Sequence, residues 1–301
     1  MPSNQKNLLG AYLSLAGAML IVGSSAVVGK VLVAEMPVAL SQELRFVLAL
    51  PLLLALLWRR EGGLPRLRPR TWAVAGLQAL GGVVIFNACL LCGLKLTSAA
   101  HAGILTSVTP ASMAVAAWLL FGERLRGRAG LGVFLAVAGV LALTVGDAAL
   151  HGFAGALSGR MLLGDLLVLG AVAGETLFLL LRKAVREPVS PLAFSTVMNI
   201  YGVLLFLPLA ASEALRFDFA SVSTRGWLAV GWSSAALSVA AYLLWFRGVV
   251  RVSGGVAGVF TGLMPLTAVS LSFLLLGESI TWAQLAGCGL VLAAIGCICR
   301  R

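Results

Sequence analysis

Apolar residues run through this chain in blocks of about twenty, the length that spans a hydrocarbon core as a helix, and short polar loops separate the blocks. Ten blocks qualify, roughly 8–33, 38–58, 71–93, 97–121, 129–147, 162–182, 190–211, 226–247, 253–276 and 281–299. Backbone N–H and C=O groups inside lipid must pair within their own segment, so each block is predicted to be a helix. The first block continues to about Val33, too long for the apolar core of a cleaved signal, and is read as the first span. The longest connection, 147–160, is Gly-rich and joins two halves of five segments each.

The halves share a pattern. Shifted by 155 residues, the stretch 93–123 aligns without a gap with 248–278, and ten of the 31 positions are identical. Among the identities are Gly103/Gly258, Thr106/Thr261, Pro110/Pro265 and Gly122-Glu123/Gly277-Glu278. A duplication of this kind in a chain of apolar segments points to a repeated architecture. Residues 1–150 and 160–301 are the expected units.

Charge gives the topology. Sixteen Lys and Arg residues fall in loops on one side of the ten-segment arrangement and four on the other. The excess marks the cytoplasmic face, so both termini are expected in the cytoplasm. Each half contains five segments, an odd number, and the second half therefore crosses in the opposite sense from the first. The expected fold is an all-α integral membrane protein with ten transmembrane helices in two inverted five-helix repeats.

Composition agrees with membrane residence. The chain is 60% hydrophobic and 11% charged, with a mean hydropathy of +1.02, whereas soluble domains carry about 25% charged residues. The net charge of +11 is accounted for by the basic loops rather than by nucleic-acid binding. Cys89, Cys92, Cys288, Cys297 and Cys299 all lie in apolar segments, and buried structural thiols are expected rather than a metal site. No cofactor is expected. Two histidines, one of them the loop residue His151, and the absence of an HExxH pattern argue against an enzyme.

Several motifs resemble the drug/metabolite transporter superfamily in its EamA-type, ten-helix branch. They include Gly23-Ser24-Ser25 with Lys30, Leu44-Arg45-Phe46, Ala102-Gly103, Thr109-Pro110 and Gly122-Glu123-Arg124-Leu125. The second half adds Gly164-Asp165-Leu166, Arg182-Lys183, Ala241 to Trp245, Pro265 and Gly277-Glu278. The chain departs at Val22, where an aromatic residue is usual, and at Ser279-Ile280 after the second Gly-Glu. The resemblance implies a central cavity between the halves, solute movement by alternating access and no ATPase domain.

Polar residues inside the apolar blocks are the candidates for chemistry, because ionisable groups at mid-membrane cost at least about 2.5–3.5 kcal/mol. Glu175 lies about 20 Å into its segment at 1.5 Å per residue, and Asn199 is also central. Glu175 either binds a cationic group, takes up a coupling proton, or is a protonated residue bonded to a neighbouring helix. Asn87 and Tyr242 occupy equivalent places 155 apart, and Trp232 and Ser233 are further candidates for the solute path. Lys30, Glu43, Arg45 and His101 form an expected gate or ion-pair group. Gly103, Thr106, Pro110, Gly258, Thr261 and Pro265 are expected hinges or packing positions between the halves.

The expected function is a secondary transporter of small organic metabolites or drugs in the bacterial inner (plasma) membrane. Export is favoured through the resemblance. The expected partners are a small-molecule solute, a possible coupling proton and membrane lipid, with a monomer possible and no nucleic acid. The alternative is a channel, or a membrane receptor or scaffold without carrier activity.

Overall fold

Each apolar block is helical where it is described, and several are interrupted. The computed structural model describes residues 2–64, 67–121, 127–151, 159–182, 189–249, 251–252 and 260–299. Gly258 and the Gly122-Glu123 pair lie outside the described residues. Among those described there is no strand. The first half contains α1 (Pro2–Gly23), α2 (Ser25–Glu35), α3 (Val38–Glu61), α4 (Pro69–Ala79), α5 (Phe86–Leu94), α6 (Ala99–Thr106), α7 (Thr109–Phe121) and α8 (Arg128–His151). The second contains α9 (Gly159–Arg182), α10 (Pro191–Ala214), α11 (Thr224–Trp232), α12 (Ala241–Val249), α13 (Leu263–Leu276) and α14 (Trp282–Cys299).

Among the described residues, six helical runs are long and apolar enough to cross a membrane: Leu8–Glu35, Val38–Glu61, Pro69–Leu94, Gly159–Leu181, Pro191–Ala214 and Thr224–Val249. The stretches Gly130–Ala142, Leu263–Leu276 and Trp282–Cys297 are shorter apolar helices. Their outward faces are oily: Leu13, Leu119, Phe134, Leu166 and Leu274 each leave 65–70% of their surface uncovered. Water would oppose so much exposed apolar surface, whereas acyl chains do not.

The same 155-residue shift relates the elements of the two halves. It carries Phe86–Leu94 onto Ala241–Val249, and places α4 on α11 and α7 on α13 to within a residue or two. Two π-helical stretches, Leu80–Ile85 and Ser233–Ala240, also coincide under the shift. Such stretches insert a residue into the helical ladder and recur at functional positions. The turns at Ser107-Val108 and Gly262 coincide as well. Each comes just before a proline. Pro110 is the second residue of α7 and Pro265 the third of α13, positions in a first turn where the missing N–H leaves no hydrogen bond unmade. These segments are therefore broken and restarted rather than merely kinked.

Equivalent elements pack reciprocally across the halves. α1 lies against α12 as α9 lies against α5, and α3 pairs with α10, α6 with α13 and α8 with α14. Glycines permit the approach. A Cβ at Gly93 would sit 2.9 Å from the Gly164 carbonyl oxygen, and one at Gly248 would sit 2.9 Å from that of Ala11. At Gly103 an added Cβ would lie only 2.1 Å from the Ala268 Cβ. α3 and α10 run antiparallel: the Leu40 N–H donates to Glu213 at one end, and Ser190 donates to Glu61 at the other. The two ends of the bundle are named below after Glu35 and Glu61.

Candidate functional site

Arg45 projects from α3 into a group of polar side chains drawn from both halves. Its Nε donates to Ser238 Oγ at 2.8 Å, in the second π-helical stretch. Its Nη1 reaches Asn87 Oδ1 on α5 at 3.2 Å and Gln42 Oε1 on its own helix at 3.4 Å. Asn87 is held in turn by its Nδ2, which donates to the Val83 carbonyl at 2.7 Å. Ser238 donates to the Ser233 carbonyl, so the acceptor that meets Arg45 is fixed by the local helix distortion. Neutral oxygens thus hold the guanidinium, and no carboxylate among the described residues lies within ion-pairing distance. Nη2 makes no hydrogen bond among the described residues.

Tyr242 on α12 lies near both Arg45 and Glu175. Glu175, on α9, meets Thr109 Oγ1 at 2.6 Å, directly after the interruption between α6 and α7. One residue on, the Thr176 and Ser112 hydroxyls are 2.8 Å apart. Arg45, Glu175 and Tyr242 are each half-buried, and Asn87 and Ser238 are buried. The set is therefore an island of hydrogen-bonding and ionisable groups inside an apolar bundle, with α3, α5 and α7 of one half facing α9, α12 and the π-helical stretch of the other.

A second polar network lies at the Glu35 end. Glu278 accepts from the Ala99 and Ala100 N–H groups at 3.0 and 3.1 Å, so a carboxylate of the second half caps α6 of the first. The first four N–H groups of an α-helix lack intrahelical partners and favour negative charge, which is why an acidic residue settles there. Asp165 accepts from Thr97 Oγ1 at 2.7 Å and lies 3.6 Å from His101 Nδ1. Glu35 accepts from the Ser223 N–H and hydroxyl at the start of α11. A Cβ at Gly226 would come within 2.2 Å of the Glu35 carboxylate, so the glycine is required for that seat. Lys30 Nζ donates to the Leu94 and Thr97 carbonyls at 2.6 and 2.5 Å. That places a cation at the negative end of α5.

The four residues expected to form one gate are consequently divided. Lys30 and His101 belong to the Glu35-end network, and Arg45 belongs to the central set. Glu43 is 7% exposed, with both carboxylate oxygens enclosed and without hydrogen-bond partners among the described residues. Lys30 pairs with main-chain carbonyls rather than with Glu43, because the end of α5 presents unsatisfied acceptors close by.

The expected solute-path residues also divide. Glu175, Asn87 and Tyr242 come together. Asn199 is 4% exposed and bonds within its own helix, to the Ser195 carbonyl, with Oδ1 enclosed and without a partner among the described residues. Trp232 leaves 47% of its surface uncovered, and its indole N–H donates to Ser24 Oγ at the break between α1 and α2. Ser233 is buried and donates to the Val230 carbonyl one turn back. Among the expected hinges, Thr106 donates to the Gly103 carbonyl, as does the neighbouring Ser107, Pro265 is buried, and Thr261 directly precedes the Gly262 turn. Cys92 is exposed rather than buried, with no cover on its face of α5 among the described residues.

Gln42, Thr109, Asp165 and Ser238 take part in these networks although the chain's pattern did not single them out as site residues. Asp165 and Thr109 were visible only within the Gly164-Asp165-Leu166 and Thr109-Pro110 motifs, and Gln42 and Ser238 are neutral side chains in apolar surroundings.

The protein-family model for the EamA-like transporter family matches this chain twice, over residues 9–145 and 162–300. The chain is 40% identical over 292 residues to the "Uncharacterized transporter YetK" of Bacillus subtilis, covering 96% of this chain and 87% of that protein. It is 29% identical over 277 residues to an "Uncharacterized transporter" of Archaeoglobus fulgidus, covering 89% of each. In three dimensions it resembles a solved crystal structure with a TM-score of 0.64 over 95% of this chain and 97% of that one. At 20% identity that last likeness concerns the fold alone. With both halves matched by the family model, this chain is a multi-pass membrane protein that belongs to the EamA-like transporter family.

Proposed function

We propose that the protein is a secondary transporter that moves a small organic metabolite or drug across the plasma membrane by alternating access, with export the favoured direction. The observation that carries this reading is the central set Arg45, Asn87, Ser238, Tyr242 and Glu175, assembled from both halves inside a bundle whose outer surface is apolar. Polar and ionisable groups in such surroundings are costly, and solute recognition is the reason to keep them. Arg45 Nη2, without a hydrogen bond among the described residues, offers a donor to a carboxylate or carbonyl of the solute, and Glu175 lies on the far side of the set.

The two five-helix halves act as inverted repeats in this proposal, supported by the shared 155-residue register, the reciprocal packing and the antiparallel α3–α10 pair. The excess of basic residues in the loops of the Glu61 end supports a cytoplasmic location for that end and for both termini. The Glu35 end then faces outward, and in this proposal the network of Glu35, Asp165, Glu213 and Glu278 acts as the latch that holds it shut. Opening that end while closing the other would expose the central set to each side in turn.

The test begins with a thermal-shift screen of a metabolite library on the purified protein, followed by counterflow in proteoliposomes for any compound that stabilises it. Saturable counterflow that is lost in Glu175→Gln and Arg45→Gln, with both variants still folded in the membrane, is the expected result. Flux that grows without saturation would replace the carrier with a channel.

A further inference from the structure

Three oxygens lie in a row at the centre of the bundle. The Thr106 carbonyl oxygen is 2.8 Å from Thr109 Oγ1, and Thr109 Oγ1 is 2.6 Å from Glu175 Oε2. Both separations are those of O–H···O hydrogen bonds, and each bond needs its own proton. The hydroxyl of Thr109 has one. A carbonyl has none. With an ionised carboxylate, one of the two short contacts would bring a pair of acceptor oxygens together with nothing between them. We infer that Glu175 carries a proton in this conformation, donating it to Thr109 Oγ1 while the Thr109 hydroxyl donates to the Thr106 carbonyl, and that this chain is a proton-operated switch on the broken helix.

The position of the switch gives it leverage. Thr106 is the last residue of α6 and Thr109 the first of α7, so their bond spans the Ser107-Val108 interruption. Glu175 belongs to the other half of the chain. When Glu175 loses its proton to water in the solute path, the carboxylate becomes an acceptor only. The Thr109 hydroxyl must then turn toward it and release the Thr106 carbonyl. Loss of one proton therefore removes the side-chain bond across the break and tightens the grip of α9 on α7. The interruption is thereby coupled to the charge state of a residue in the opposite half.

The surroundings leave Glu175 as the group that titrates at this point. The π-helical stretch 80–85 and α7 contain no ionisable side chain. On α5, Cys89 lies against Gly170, five residues before Glu175 along α9, and Asn87 is neutral. On α6, His101 faces Asp165, ten residues away on α9. On α4, Gln78 reaches the Phe178 carbonyl and is neutral, and Arg70 lies in the first turn, toward the Glu61 end. On the solute side, Tyr242 lies near both Glu175 and Arg45. A solute bearing a cationic group would favour release of the proton, which would link solute binding to proton exchange.

This inference rests on the transporter reading for its purpose, but its test reads protonation and not flux. Infrared difference spectra are recorded on the full-length protein in liposomes between acidic and alkaline buffer, alongside hydrogen exchange of the amides in 106–112 corrected for intrinsic rates. Wild type is expected to show a protonated-carboxyl band that disappears on alkalinisation, together with faster exchange across the break. Glu175→Gln should lack the band, and Thr109→Val should shift it. Both should exchange at a pH-independent rate, while Thr109→Ser should behave as wild type. An unchanged band in Glu175→Gln, or pH-dependent exchange that persists in both Glu175→Gln and Thr109→Val, would overturn the switch. Absence of transport with the infrared result intact would instead remove the transporter reading.

Discussion

Removing the Glu278 carboxylate should open the Glu35 end. In Glu278→Ala the Ala99 and Ala100 N–H groups at the start of α6 lose their acceptor, while the second half loses its hold on the first. Hydrogen bonds to a charged group contribute about 1.5–3 kcal/mol each when buried. Glu278 is half-exposed, and water can take up the freed donors, so the pair together is worth about 2 kcal/mol after allowing for solvent. At about 1.4 kcal/mol per tenfold, that shifts the ratio of open to closed conformations by about 30-fold. Glu278→Gln, with one acceptor oxygen and no charge, should fall between. The assay is double electron–electron resonance between spin labels at the exposed positions Lys95 and Arg216, one in each half at this end, in a chain with its five cysteines replaced. Wild type should give mainly the short distance, and Glu278→Ala should add a longer one. A folded Glu278→Ala protein with an unchanged distance distribution would falsify the account of this end as a latch between the halves.

Other outcomes follow from single contacts. Gly103→Ala would force a Cβ against that of Ala268, neither of which can rotate away, and should destabilise the α6–α13 pair by about 1–3 kcal/mol. Adding Ala268→Gly should recover most of that loss in thermal melts, and additive effects would mean that the two helices do not touch there. Lys30→Met leaves the Leu94 and Thr97 carbonyls without their cation, costing about 1–3 kcal/mol. Melting should show the loss, with Lys30→Arg partly restoring it. Arg45→Gln should abolish saturable counterflow with little loss of melting temperature, because neutral partners hold the side chain; full activity would remove Arg45 from the solute path.

The helices themselves were readable from the chain, because lipid demands long apolar runs and leaves little freedom about where they end. Val38–Glu61 and Gly159–Arg182 begin and finish within a few residues of the expected blocks. The doubled register was equally plain, since Gly103, Thr106 and Pro110 recur 155 residues later. What the pattern did not show is how the helices deviate. The π-helical stretches depend on one extra residue in the ladder, which leaves composition unchanged, and Leu80–Ile85 is as apolar as its flanks. The pairing of Glu175 with Thr109 joins residues 66 apart in opposite halves. Nothing in local spacing distinguishes Thr109 from the other hydroxyls of the same segment. Likewise, Lys30 was readable as a charge inside a helix, but not as a cap, because its partners are main-chain carbonyls that every residue carries.

Alternating exposure of the central set is the core of this account, and Tyr242→Cys in the cysteine-free chain tests it most directly. A membrane-impermeant thiol reagent is applied to right-side-out and to inside-out vesicles, with and without Glu278→Ala. The account predicts modification from both sides, with Glu278→Ala raising the rate from outside and lowering it from inside. Modification confined to one side, or rates that rise together from both, would contradict it.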